Sequence, residues 1–201
     1  MLSDSALPPG FEPPETTERS AGGTSWRAAV WTPEALGRLA AVVAEGGAAL
    51  SAVPPERRLA AWQETVAAFR DPDSPERRRL GGGLAWLCRL SPAGFDAGLE
   101  AVLGGVAGES AARLFHEAAG RRAAPGPVLV LLASNLPALA VQPLLPALAL
   151  GRPVILKSPT AEPLFAPAFV AALAAREPSL GRAVAAVTWP GGHHELEAPL
   201  L

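Results

Sequence analysis

The sequence predicts an α/β chain in which a helical N-terminal half precedes part of a parallel sheet. Three observations carry this. Apolar residues recur at helical spacing in the segments that follow Thr32. The texture changes at Pro125-Gly126-Pro127, beyond which Val128-Leu129-Val130-Leu131-Leu132 is an unbroken apolar run, as expected of a strand covered on both faces. Further short apolar runs then alternate with helical stretches long enough to cross between parallel strands with right-handed connections.

Taken in order, residues 1–25 hold Pro8, Pro9, Pro13 and Pro14 among Gly, Thr and Glu without apolar periodicity, so an irregular, mobile arm is expected. A helical leader is expected over 26–124. Thr32 suits an N-cap with Pro33 in the first turn, and Leu36, Leu39, Ala40 and Val43 then share a face. A second helix covers 55–69 with Leu59, Trp62 and Val66 inward, and Asp71-Pro72-Asp73-Ser74-Pro75 ends it. A third runs through 77–90, a fourth opens at Ser91-Pro92 and passes Phe95 and Leu99 to Leu103, and another lies around 111–119. After the apolar run come a loop, Ser134-Asn135-Leu136-Pro137, and a helical stretch over 138–150 that Gly151 stops. Val154-Ile155-Leu156 reads as a second strand, Pro163 opens a helix ending near Arg176, and 183–189 reads as a third strand. Residues 125–201 are thus the first part of an α/β domain.

Composition narrows the classes. With 49% hydrophobic and 18% charged residues in 201, the chain has the makeup of a globular protein. A formal charge of −2 supplies no electrostatic reason to expect nucleic acid or an anionic membrane as partner. One cysteine excludes an internal disulfide and a Cys-rich metal site, and suits a reducing cytoplasm. The N-terminus lacks the basic-then-apolar order of a signal peptide. The uncharged stretch 128–150 is long enough to span a bilayer, but Pro137, Pro143, Pro146, Ser134, Asn135 and Gln142 argue for protein core instead. His116, His193 and His194 have no metal-ligand spacing; a helix surface is expected for the first and a solvated loop for His193-His194-Glu195.

The residue that stands out is Lys157, the only lysine beside 16 arginines, at the end of the second strand. A compact ammonium in a chain that otherwise uses guanidinium suggests a specific task. Ligands gather at the carboxyl ends of parallel strands. Three loops meet that description: Ser134-Asn135-Leu136-Pro137, Lys157-Ser158-Pro159-Thr160 and Trp189-Pro190-Gly191-Gly192. Amide, ammonium, hydroxyls and a glycine pair suit an anionic, hydroxylated ligand such as a nucleotide. No G-x-G-x-x-G occurs, and Gly81-Gly82-Gly83 follows a helix end, so the usual dinucleotide fingerprint is absent.

The stretch from Pro146-Ala147-Leu148-Ala149 through Gly151-Arg152-Pro153 to Val154-Ile155-Leu156-Lys157, with an Asn loop before it, resembles the cofactor segment of the aldehyde dehydrogenase superfamily. The Asn-Leu-Pro loop, the Lys-Ser start of the next loop and Trp-Pro-Gly-Gly are similar, within it, to the acyl-CoA reductases of the bacterial luciferase system (the LuxC family). Asp71-Pro72-Asp73 and Leu90-Ser91-Pro92 resemble that family's helical leader. The resemblance covers roughly residues 55 to 201. It implies a Rossmann-like cofactor domain and NADPH-dependent reduction of a long-chain fatty acyl-CoA to the aldehyde. It gives Asn135 the role of oxyanion donor, with a turn-closing Asn as the alternative. Lys157 would hold the adenosine ribose and its phosphate, with Ser158 and Thr160 adding hydroxyls. A neutral Thr160, where NAD-preferring members commonly carry a carboxylate, favours NADPH. Gly191 and Gly192 would let the cofactor approach, or form an ordinary turn. Trp189 is either core or a wall of the cofactor site. Gly151-Arg152 departs from the family's Gly-Asn.

Such a reductase needs a nucleophilic cysteine, which the family carries well downstream of the glycine pair. Cys88 lies upstream in an apolar helix and reads as structural. The expectation is therefore the front half of a reductase, its catalytic domain absent, a homo-oligomer when complete, with an acyl-activating synthetase as possible partner. A relative acting on a smaller aldehyde or semialdehyde, and a non-catalytic nucleotide-binding module, remain alternatives.

Overall fold

The computed structural model describes residues 1–121, 126–133 and 136–200. Its first elements correct the irregular arm expected over residues 1–25. Strands β1 (Leu2–Ser3), β2 (Glu15–Ala21) and β3 (Thr24–Val30) form a sheet in the order β1-β3-β2. β2 and β3 pair antiparallel from Glu15↔Val30 to Ala21↔Thr24. Gly22 and Gly23 turn the hairpin with φ of 56° and 76°, the left-handed pair that a two-residue loop needs. The prolines stand before the hairpin, so they do not interrupt it. Along β3, Trp26 and Ala28 go inward while their neighbours do not, which anchors one face on the core.

The helical leader expected over 26–124 starts only after β3, at Pro33, and its helices differ from the expected ones at one point. In α1 (Pro33–Ala52), Thr32 caps the first turn through Ala35 N–H at 3.2 Å. After α2 (Pro55–Arg70), the helix expected over 77–90 splits at Gly81-Gly82 into α3 (Pro75–Leu80) and α4 (Gly83–Leu87). Gly81 has φ of 59°, a conformation that ends α3. α5 (Pro92–Gly105), capped by Ser91, and α6 (Gly108–Ala118) complete the leader. Trp62 ties α2 to the α5–α6 junction by donating its indole N–H to Val106 O at 2.8 Å.

The second sheet comprises β4 (Val128–Leu131), β5 (Val154–Ser158) and β6 (Val184–Thr188), all parallel, in the order β4-β5-β6. α7 (Val141–Ala149) links β4 to β5, and α8 (Phe165–Arg176) with α9 (Pro178–Ala183) links β5 to β6. The stretch 128–150 is therefore a strand and a separate helix. β5 and β6 are wholly buried; β4, expected to be covered on both faces, is only half-buried. A short α10 (His194–Glu197) and a 3₁₀ turn (Ala198–Leu200) close the described chain.

Alternation along the strands divides the core in two. Val154 and Leu156 face α7 and α8, where Trp62, Phe69, Phe165 and Phe169 pack with ring centroids 5.3–5.8 Å apart. Ile155, Ala185 and Val187 face α1, against Leu36, Leu39 and Val43. Gly46 lets α1 approach α9: a Cβ there would collide with the carbonyl of Arg182. The buried Arg58 of α2 donates to the carbonyls of Leu148 and Ala149, satisfying the C-terminus of α7 and opposing its dipole. The N-terminal segment joins the two sheets. Ala6 exchanges two hydrogen bonds with Ala186, at 2.8 and 2.9 Å, along the outer edge of β6.

Candidate cofactor-binding site

The register of the parallel sheet sets the site. Leu131, Lys157 and Val187 are partners across the three strands, and Ser158 pairs with Thr188. The three expected loops therefore leave neighbouring strands at one edge, the side on which ligands of such sheets collect. Ser134 and Asn135 of the first loop lie outside the described residues. Just beyond it, Ala138 sits at φ 59°, a left-handed conformation that costs a non-glycine residue about 1–2 kcal/mol.

Neighbours on β5 point to opposite faces, so the middle loop divides. Lys157 is on the α1 face and only 8% exposed, its Nζ 5.7 Å from the centroid of the Trp189 ring. Burial lowers its pKa from the ordinary lysine value, while the Glu197 carboxylate works in the opposite direction. Among the described residues Lys157 forms no ion pair. A largely desolvated ammonium held against a ring face and lacking a carboxylate in contact has an unmet demand for an anion. Trp189 is itself buried and lies in the α1-side cluster, onto which Leu196 and Leu200 also pack. Core residue and wall of the lysine site are thus one position.

Ser158 faces the other way, fully buried, and its Oγ has no partner among the described residues. It borders a pocket of about 10 Å³ with Leu136, Ala138 and Glu162. Glu162 is buried and accepts the N–H groups of Leu164 and Phe165 through one oxygen, both at 2.8 Å, capping the start of α8. Burial pushes its carboxyl up, and those two donors pull it partly back. Thr160 is exposed and lines a different cleft, with Arg19, Trp26, Trp86 and Arg89. Gly191 and Gly192 are exposed with open space where a Cβ would stand, and only Gly192, at φ 82°, needs to be glycine for its backbone.

Cys88 is half-buried, and burial, reinforced by the Glu162 charge, pushes its thiol up to about 12, so it supplies no thiolate near neutral pH. His116, His193 and His194 are exposed, and no cluster of metal-ligating groups is present among the described residues. Sequence reasoning missed Glu197 and Glu162, the carboxylates that act on Lys157 and cap α8. Glu162 stands next to Pro163, where an acidic helix cap could have been sought; nothing in the sequence pairs Glu197 with Lys157.

No family model matches the chain, and no curated protein matches it at significance. Solved structures do. HpcC from Thermus thermophilus superposes with a TM-score of 0.70 at 19% identity, over 98% of this chain and 40% of that one. A salicylaldehyde dehydrogenase from Pseudomonas putida G7, complexed with salicylaldehyde, gives 0.69 at 17% identity, over 100% and 44%. The chain therefore shares its fold with part of these structures and spans about two-fifths of their length.

Proposed function

We propose that this chain is the cofactor-facing part of a nicotinamide-dependent oxidoreductase that reduces a fatty acyl-CoA thioester to the aldehyde with NADPH. The observation that carries the reading is the alignment of three parallel strand tips with, on the middle one, a desolvated lysine that has no ion pair among the described residues. Lys157 would take the ribose and phosphate of the cofactor, and the open backbone at Gly191 and Gly192 leaves room beside it. Trp189 holds the ammonium in place through its ring face. Bound there, the nicotinamide supplies hydride; Asn135, outside the described residues, would donate to the oxyanion. Cys88 is not the nucleophile of this reading.

The likeness to a salicylaldehyde dehydrogenase favours a second reading, oxidation of a small aldehyde at the same cofactor site. Titration of the protein with NADPH and NADH tests the common core. Lys157→Ala is expected to weaken NADPH binding at least tenfold; unchanged affinity, or no binding by either protein, overturns the assignment. An acyl-activating synthetase partner, a cytoplasmic location and homo-oligomeric assembly accompany the first reading as proposals.

A further inference from the structure

A second cleft, of about 940 Å³, opens between the N-terminal hairpin and α4, and Lys157 is not among its lining residues. Its size suits a small-molecule site. Arg19 on β2 stands directly across from Trp26 on β3, and Trp86 and Arg89 come from the end of α4. Gly22 backs the Trp86 ring so closely that a Cβ there would lie 2.6 Å from it. The indole is thereby fixed in orientation, yet it remains 59% exposed, a flat platform facing open space. Trp26 is 6% exposed, and its indole N–H has no acceptor among the described residues. Trp26 thus forms the buried floor of the cleft, and Trp86 its exposed wall.

The charge at this cleft has one sign. No carboxylate lines it, and neither Arg19 nor Arg89 forms an ion pair or side-chain hydrogen bond among the described residues. Asp4 feels the charge of Arg19 but lies buried behind the hairpin. Arg89 holds φ of 58°, an uncommon conformation for arginine that fixes its backbone at the rim. Thr160 adds a hydroxyl. A flat aromatic platform and two guanidiniums without a carboxylate partner among the described residues match a ring system carrying phosphate.

We infer that this cleft binds phosphorylated adenosine, with the base on Trp86 and phosphate between Arg19 and Arg89. That chemistry has two sources, a free nucleotide or the 3′-phosphorylated handle of coenzyme A. Binding is independent of Lys157, so this inference and the cofactor reading can fail separately.

Tryptophan fluorescence is titrated with ADP, adenosine 3′,5′-bisphosphate and coenzyme A, and calorimetry repeats each titration. Saturable quenching is expected, lost in Trp86→Phe. Arg19→Ala and Arg89→Asn, each made in a Lys157→Ala background so that the cofactor site is silent, are expected to weaken the remaining binding at least tenfold. Both arginines are exposed, and Asn tolerates the left-handed backbone at position 89, so the variants keep the fold. Binding of the bisphosphate and coenzyme A alone identifies the coenzyme A handle; equal binding of ADP identifies a general nucleotide site. The inference is overturned if none of the three saturates, if inorganic phosphate binds as tightly, or if Lys157→Ala by itself removes binding.

Discussion

The two outer strands of the parallel sheet make an instructive pair. β4 reads Val-Leu-Val-Leu and β6 reads Val-Ala-Ala-Val-Thr, so β4 carries the larger apolar side chains. Yet every residue of β6 is buried, while β4 is half-buried and Leu131 is 57% exposed. The difference lies in what each edge meets. β6 receives the N-terminal segment through the Ala6–Ala186 pair and is covered by α1, α8 and α9. The outer edge of β4 has no partner among the described residues. Hydropathy says which strands can be buried, and the path of the chain says which ones are.

The contrast can be broken at several points. Leu156, at the centre of the sheet, is fully buried, and Leu156→Ala is expected to cost about 3 kcal/mol in chemical denaturation. A loss near that expected for an exposed leucine would mean that the centre is no better packed than the β4 edge. Next comes the closure of β6. Ala6→Pro removes the donor to the buried Ala186 carbonyl and should cost about 2 kcal/mol. An unchanged denaturation midpoint would show that the N-terminal segment does not secure that edge.

The same closure carries a pH signature. Asp4 is buried, accepts the Ala29 N–H at 3.0 Å, and has its carboxyl raised by burial to about 6. The folded state thus holds a proton that the unfolded chain releases at lower pH. The resulting stability is complete below about pH 4 and is lost as pH rises through about 6. Asp4→Asn, which keeps an acceptor without the charge, should gain about 1–2 kcal/mol at pH 8 and nothing at pH 4. A gain equal at both pH values would contradict the assignment. The smallest folding effect is expected at the open edge: Leu131→Lys should change stability by under about 0.5 kcal/mol but reduce self-association in sedimentation. A wild-type chain that sediments as a monomer at all concentrations would remove the open-edge interpretation.

Much of the architecture was legible in the residues. Thr32, Ser74 and Ser91, each followed by proline, cap helices where their side chains accept a first-turn N–H. The aligned tips followed from strands separated by helical crossovers, because such crossovers force parallel pairing. The hairpin over residues 15–30 was hidden because its β2 half is almost wholly exposed and shows no apolar alternation. Gly22-Gly23 was the available signal, masked by the prolines before it. Trp86 was equally opaque: it sits within an apolar helical run, and only the split at Gly81-Gly82 and the backing of Gly22 turn it outward.

By itself the sequence determined the local terms: caps, helix faces, strand runs and a solitary lysine at a strand end. Those depend on interactions within a few residues and so can be read along the chain. The tertiary structure alone decided that Lys157 lies under Trp189 near Glu197, that Ser158 turns to the opposite face, and that Arg19, Trp86 and Arg89 line one cleft. Burial and electrostatics act through space between segments far apart in sequence, and no local pattern encodes which of them will meet.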